Sequence, residues 1–121
     1  MCVCLLATQL VLLRAVNERW RIGGELAQAA VDGVVERVRT RGVRHVFLSP
    51  PPGEFLGAHA LPWGMEAALT VRVGKHLRVD VVRDAAAFEL VQKTHQSATP
   101  TERQTIDVGR WDALTRAWRW E

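Results

Sequence analysis

Two short apolar segments on either side of a helical segment restrict the fold more than any other feature of the chain. The first, "VRHVFLS" at residues 43–49, is rich in β-branched residues and is bounded by Gly42 and a run of prolines, which predicts a buried strand. The second, "HLRVDVVRD" at residues 76–84, alternates apolar and polar side chains and predicts another strand. Between them, Pro62 precedes a segment with helical spacing. A strand, a helix and a strand predict a right-handed parallel crossover and an α/β fold with a small sheet.

A long helix is predicted before the first strand. Apolar residues recur at helical spacing before the first strand, at Ala27, Ala30, Val31, Val34 and Val38, and predict a long amino-terminal helix. Gly23 and Gly24 permit a bend or a break in that helix, and Gly42 supplies its carboxyl-terminal stop.

The carboxyl-terminal third carries weaker patterns. "AFELVQ" at residues 87–92 predicts a short strand, "KTHQSATPTERQ" at residues 93–104 a polar loop, and "TIDV" at residues 105–108 a last strand. A terminal amphipathic helix is expected from the i, i+3, i+4, i+7 spacing of Trp111, Leu114, Thr115 and Trp118.

The first thirteen residues, "MCVCLLATQLVLL", contain no charge and are followed by Arg14 and Arg19. A membrane-spanning helix needs about 20 apolar residues, so this run is too short to span a bilayer unaided. Two interpretations stay open for residues 1–16: a core helix, or the final turns of a transmembrane helix that begins outside this chain. The uniform apolar pattern favours the second. Residues 17–121 are expected to form a single α/β domain.

The loop after the first predicted strand, "SPPPGEFLG" at residues 49–57, leaves the carboxyl end of that strand, where ligands bind in open α/β sheets. Three prolines remove N–H donors that a phosphate cradle would need. The residues that could form a binding crevice around this loop are Glu54, Gly57, His59, Glu66 and Asp84. No catalytic set, metal site or cofactor motif is predicted, since the four histidines lack metal-ligand spacing.

"NERW" and "VFLSPPPGEFLGAHALPWGMEAAL" resemble the segment that follows the last transmembrane helix in bacterial polytopic membrane proteins of the glycosyltransferase type, broadly similar to the protein mannosyltransferases. The resemblance covers about half of the chain and consists of structural residues. The positions that correspond are Asn17, Trp20, Pro51, Gly57, Ala58, Trp63 and Gly64. In such proteins the catalytic acid lies near the amino end of the membrane region, so the resemblance implies a non-catalytic, membrane-proximal domain with a structural or accessory role.

This resemblance implies a membrane-associated location and a membrane or membrane-embedded partner. Trp20, Trp118 and Trp120 are candidates for contact with a membrane interface. Trp20 follows the apolar run at the distance where an interfacial belt would fall, and "RAWRW" mixes arginine with Trp118 and Trp120 as membrane-surface helices do. The alternative is an independent, cytoplasmic α/β hydrolase or small-ligand-binding protein that uses the crevice near His59. The net charge of +3 is spread along the chain, so no specific binding of nucleic acid is expected.

Overall fold

The computed structural model describes residues 2–51, 54–55, 58–59, 64–74 and 76–121. In chain order the elements are α1 (Cys2–Arg41), β1 (His45–Leu48), β2 (Glu54–Phe55), β3 (Ala58–His59), α2 (Met65–Val73), β4 (Arg78–Val81), α3 (Ala85–Ser97), α4 (Pro100–Thr105), β5 (Ile106–Asp112) and β6 (Ala117–Trp120). The mixed α/β fold with a long amino-terminal helix that the sequence predicts is confirmed.

Four strands form the main sheet in the order β4-β1-β5-β6. Strand β1 lies parallel to both β4 and β5, so that Val46 is opposite Val79 on one side and Asp107 on the other. Strand β6 pairs with β5 in the antiparallel direction. The chain passes from β1 through α2 to β4, and the predicted parallel crossover is therefore confirmed.

One face of the sheet packs against α1 and α2 and holds the main core. Alternation along β1 sends Val46 and Leu48 to this face, while His45 and Phe47 point to the other. The buried members of the core, drawn from both helices and from the strands, are Ala30, Val31, Val34, Val35, Val38, Val43, Val46, Leu48, Met65, Leu69, Leu77 and Trp118. Burial of these side chains is the main stabilising term for the sheet and its two covering helices.

Helix α1 runs without interruption from Cys2 to Arg41, so the break allowed at Gly23 and Gly24 is not present. The helix ends where expected, because Gly42 has a φ of 66° and its N–H donates to the carbonyl oxygen of Val38. The residue directly after the last helical turn often has a left-handed backbone conformation, and glycine adopts this conformation at low energetic cost.

The second face of the sheet is covered by α3 and α4, in a region where the sequence patterns predict a strand and a polar loop. Both predictions are wrong. Asp84 caps α3 by accepting a hydrogen bond from the N–H of Ala87, and Thr99 and Glu102 form a capping box that starts α4. These caps, together with buried Phe88 and His95 on one side of α3, favour helix over the short apolar strand pattern.

The carboxyl terminus is a hairpin of β5 and β6, and the predicted terminal amphipathic helix is wrong. Trp111 and Trp118 are cross-strand partners with ring centroids 5.2 Å apart in an edge-to-face arrangement. Their spacing in the sequence fits a helix equally well. In the structure β5 pairs with β1, β6 pairs with β5, and Trp118 is buried. Arg116, with a φ of 53°, lies in the connecting turn.

The amino-terminal half of α1 extends beyond the packed domain. Its apolar side chains are exposed all round the helix: Val3, Leu5, Leu6, Leu10, Val11, Leu12, Leu13 and Val16. Within this single chain, residues 3–16 are not core, which corrects one of the two interpretations of this segment. Among the described residues, no helix has the length and hydropathy needed to cross a membrane.

Candidate functional site

Part of the predicted crevice after β1 lies outside the described residues. This applies to Gly57 and to the side chains of Glu54 and His59, whose backbones pair with each other between β2 and β3. The hairpin they form lies against α1. Ser49, which precedes this loop, accepts a hydrogen bond from the N–H of Trp111 at 2.7 Å and so joins β1 to β5.

The structure places the other two predicted crevice residues on different elements. Glu66 is exposed in the first turn of α2, and Asp84 is exposed at the start of α3, where its carboxylate caps the helix. No hydrogen bond or ion pair in the described part of the chain joins Glu66 to Asp84. The placement of Asp84 supports a structural role as a helix cap.

The three tryptophans predicted at a membrane interface have different surroundings. Trp20 is half-exposed on α1, in the part of the helix that extends from the domain. Trp118 is buried, and its indole N–H donates to the carbonyl oxygen of Ala30, while Trp120 packs against the same core under the guanidinium of Arg37. The structure therefore places Trp118 and Trp120 in and beside the core rather than on an exposed surface.

A polar cluster that the sequence patterns did not identify lies on the α3 side of the sheet. The Nε2 atom of His45 on β1 lies 2.6 Å from the carboxylate of Asp80 on β4, and the same carboxylate lies 3.2 Å from the Nε atom of Arg78. The imidazole ring of His45 also contacts the ring of Phe47, with centroids 4.2 Å apart. Since neighbouring parallel strands direct paired residues to one face, alternation brings these side chains together.

This cluster fixes the orientation of an imidazole but holds few of the parts that catalysis would require. A carboxylate on one ring nitrogen leaves the other nitrogen available for proton transfer. No hydrogen bond in the described part of the chain joins His45 to a serine, threonine or cysteine. The described residues also contain no group of three His, Cys, Asp or Glu side chains that could hold a metal ion.

A pocket of about 450 Å³ lies beside this cluster, between the sheet and the two carboxyl-terminal helices. Phe47 and Ile106 form its floor on the sheet, and α3 and α4 supply the walls. The full lining is Phe47, Leu90, Val91, Thr94, His95, Ser97, Ala98, Glu102 and Ile106. Its volume falls within the range of small-molecule sites, and most of its lining is apolar.

The buried imidazole of His95 lies in the wall of this pocket. The side chain is only 9% exposed, and the imidazole makes no hydrogen bond or ion pair with the part of the chain that the structure describes. On its other side, His95 lines a smaller cleft together with Arg41, Arg103 and Glu121. The imidazole borders both the pocket and the cleft, so its ring nitrogens can form hydrogen bonds with a ligand or with solvent there.

Two sequence signals could have located these residues. His45, Arg78 and Asp80 occupy the outward positions of the two predicted strands, and three polar side chains at such positions indicate a shared polar face. Phe88, Val91 and His95 have the i, i+3, i+7 spacing of a helix, and Asp84 lies where a helix cap is expected.

We compared the chain with protein-family models, with curated proteins and with solved structures, and none of them matches.

Proposed function

We propose that the chain is a membrane-proximal, non-catalytic α/β domain, held at a lipid surface by the amino-terminal half of α1. The observation that carries this proposal is the exposure of uncharged apolar side chains all round the helix, with Val3 78% exposed and Leu10 63% exposed. A helix that is apolar on every side requires an apolar environment on every side. A coiled-coil partner would cover only one stripe of it, whereas lipid would cover the whole circumference.

The length of the uncharged segment fits insertion into one leaflet. The described residues from Val3 to Leu13 contain no charged side chain. At 1.5 Å per residue this segment is about 16 Å long, roughly half of the ~30 Å hydrocarbon core. The proposal therefore requires that these turns insert into one leaflet, and it does not require the described residues to cross the whole bilayer.

The residues that follow the segment suit the boundary between lipid and water. Arg14 lies directly after Leu13, and Trp20 is half-exposed less than two turns further along. Arg21 forms ion pairs with Glu18 and Glu25, so the helix becomes polar beyond this point. Basic and indole side chains are favoured at the headgroup level of membranes.

The resemblance to the tail segment of glycosyltransferase-like membrane proteins supports an accessory role at the membrane. It adds a candidate partner, a membrane-embedded protein beside which the domain would lie. The polar cluster at His45 lacks a described nucleophile or metal site, so it gives no independent support to a hydrolase.

Flotation of the full-length chain with vesicles tests this proposal. We expect the protein to float with vesicles that contain about a third anionic lipid, and to float less well with neutral vesicles, since basic residues near the surface contribute about 1 kcal/mol each. The double variant Leu6→Lys/Leu10→Lys should lose at least 100-fold in partition coefficient, because charged side chains in the hydrocarbon region cost about 3 kcal/mol each.

Val71→Lys is the matched control, because Val71 is 85% exposed on α2, away from the extended half of α1. This variant should float like the parent protein. The proposal is wrong if the parent protein stays with the soluble fraction, or if Val71→Lys weakens flotation as much as the substitutions in α1. Circular dichroism of each variant verifies that the domain has remained folded.

A further inference from the structure

The pocket between α3, α4 and the sheet has an apolar interior. Phe47 and Ile106 on the sheet line the pocket together with Val91 on α3 and Ala98, the residue directly after that helix. Leu90 is 67% exposed at the rim, so the apolar surface continues outward from the pocket. An apolar cavity of this size favours a ligand with an aliphatic or aromatic body.

Most of the polar groups around the pocket already have partners. The hydroxyl of Thr94 donates to the carbonyl oxygen of Leu90 at 2.8 Å, and the hydroxyl of Ser97 donates to the carbonyl oxygens of Lys93 and Thr94. These hydroxyls satisfy the backbone of α3. Among the described residues of the lining, the imidazole of His95 and the Oε1 atom of Glu102 make no hydrogen bond and are left to contact a ligand.

The charges around His95 favour a neutral polar group over an ionised one. Glu102 belongs to the same pocket wall, and its carboxylate accepts two hydrogen bonds of 2.9 Å from Thr99, which hold it in place. It would repel an anionic head group. On the far side of His95, the smaller cleft is lined by Arg41 and Arg103 together with Glu121, so its cations outnumber its carboxylate and would repel a cationic head group. An imidazole can donate or accept a hydrogen bond, and a hydroxyl group can do either in return.

From this arrangement we infer that the pocket binds a neutral aliphatic alcohol, with its chain against Phe47, Val91 and Ile106 and its hydroxyl group hydrogen-bonded to His95. The hydroxyl would satisfy an imidazole that is nine-tenths buried, and the chain would displace water from apolar walls. This site goes beyond the proposed membrane attachment and lies on a different part of the molecule, so each proposal can fail without the other.

Three probes with one chain length and different head groups test the inference: octanol, octanoate and octylammonium. Titration of the full-length, isotope-labelled protein with each probe is followed by amide chemical shifts. We expect saturable shifts with octanol at Phe47, Val91, His95 and Ile106, and an affinity at least tenfold weaker for both ionised probes. Octanoate or octylammonium binding as tightly as octanol would overturn the assignment of the head group.

Two substitutions test the two parts of the site. His95→Phe replaces the imidazole by a somewhat larger aromatic ring that cannot form the hydrogen bond, and should weaken octanol binding by about three- to tenfold, as expected for one net hydrogen bond. Val91→Trp should fill the pocket and abolish the saturable shifts.

Val71→Trp, an identical substitution on the exposed face of α2, should leave octanol binding unchanged. The inference fails if His95→Phe binds octanol as well as the parent protein does. It also fails if Val71→Trp removes binding to the same extent as Val91→Trp, or if octanol produces no saturable shifts in the parent protein.

Discussion

The indole Nε1 of Trp118 donates a hydrogen bond of 2.7 Å to the carbonyl oxygen of Ala30, 88 residues away in the sequence. Through this contact the last strand is attached to the longest helix. The same indole lies over Gly33, where a β-carbon would come within 2.8 Å of the Cδ1 atom of Trp118. A glycine one turn after Ala30 therefore permits the close approach of β6 to α1.

Substitution of Gly33 and Gly24 by alanine should change stability in opposite directions. Gly33→Ala forces a displacement of Trp118 and should lower the free energy of unfolding by about 1–3 kcal/mol. Gly24 is exposed, and a β-carbon added there would have no neighbouring atom within 4 Å. Gly24→Ala should therefore raise the free energy of unfolding by about 0.5–1 kcal/mol. Urea denaturation followed by circular dichroism measures both. A stabilising Gly33→Ala would contradict the tight contact with Trp118.

The ion pair between Arg37 and Asp107 should contribute more to the free energy of unfolding than an ion pair on the surface. The Asp107 carboxylate is 1% exposed, and it lies 2.6 Å from the Nε atom of Arg37 and 4.0 Å from Arg41. Arg37→Met leaves this buried charge without its nearest cation, and should lower the free energy of unfolding by about 3 kcal/mol. Thermal or urea denaturation measures the change.

Arg39→Met is the control for this pair, because Arg39 is exposed on the same helix. It should change the free energy of unfolding by less than about 0.5 kcal/mol. In the double variant Arg37→Met/Asp107→Asn the buried charge is gone, so the protein should be more stable than Arg37→Met alone. If the double variant is less stable than the single one, the loss in Arg37→Met has another cause.

The pKa of Glu102 should depend on the hydrogen bonds of the capping box that starts α4. The backbone N–H of Thr99, and then its hydroxyl, hold the pKa of Glu102 below its ordinary value by donating to the ionised carboxylate. A depressed pKa contributes stability at pH values above the unfolded-state pKa of about 4.3, and this contribution is lost as the pH falls through the folded-state value. Thr99→Val removes the hydroxyl but keeps the N–H, so the pKa should rise and still remain below the ordinary value.

Carbon-detected NMR titration of the Glu102 carboxyl measures this shift. Thr105→Val provides the comparison, because the Thr105 hydroxyl donates to the backbone carbonyl of Glu102 rather than to its carboxylate. That variant should leave the titration midpoint unchanged. An unchanged midpoint in Thr99→Val would show that the hydroxyl contributes nothing to the depressed pKa.

Local patterns were sufficient for the β1-α2-β4 unit. Val46 and Leu48 alternate with polar or half-exposed neighbours, and Met65 and Leu69 lie four residues apart, so each element shows the period of its own structure. Gly42 likewise ends α1 for a local reason, its positive φ. The same patterns failed after Asp84, because a window of six residues, 87–92, is too short to show helical periodicity. The spacing of Phe88, Val91 and His95 indicates a helix only over the full length of α3.

The candidate sites depended on contacts between distant segments. His45 and Asp80 are 35 residues apart, and only the register of β1 against β4 brings the imidazole to the carboxylate. His95 has no distinctive neighbour in the sequence, and its burial beside Ile106 follows from the packing of α3 on the sheet.

The sequence by itself determined the α/β class, the parallel crossover and the uncharged, apolar start of α1, because these follow from periodicity and composition over short windows. The tertiary structure decided that residues 109–121 form a hairpin, since the spacing of Trp111 and Trp118 is compatible with both a helix and a strand pair. Pairing of β5 with β1 resolves that choice through backbone hydrogen bonds and the burial of Trp118 against Ala30 and Gly33. Such long-range contacts have no signature in the local sequence.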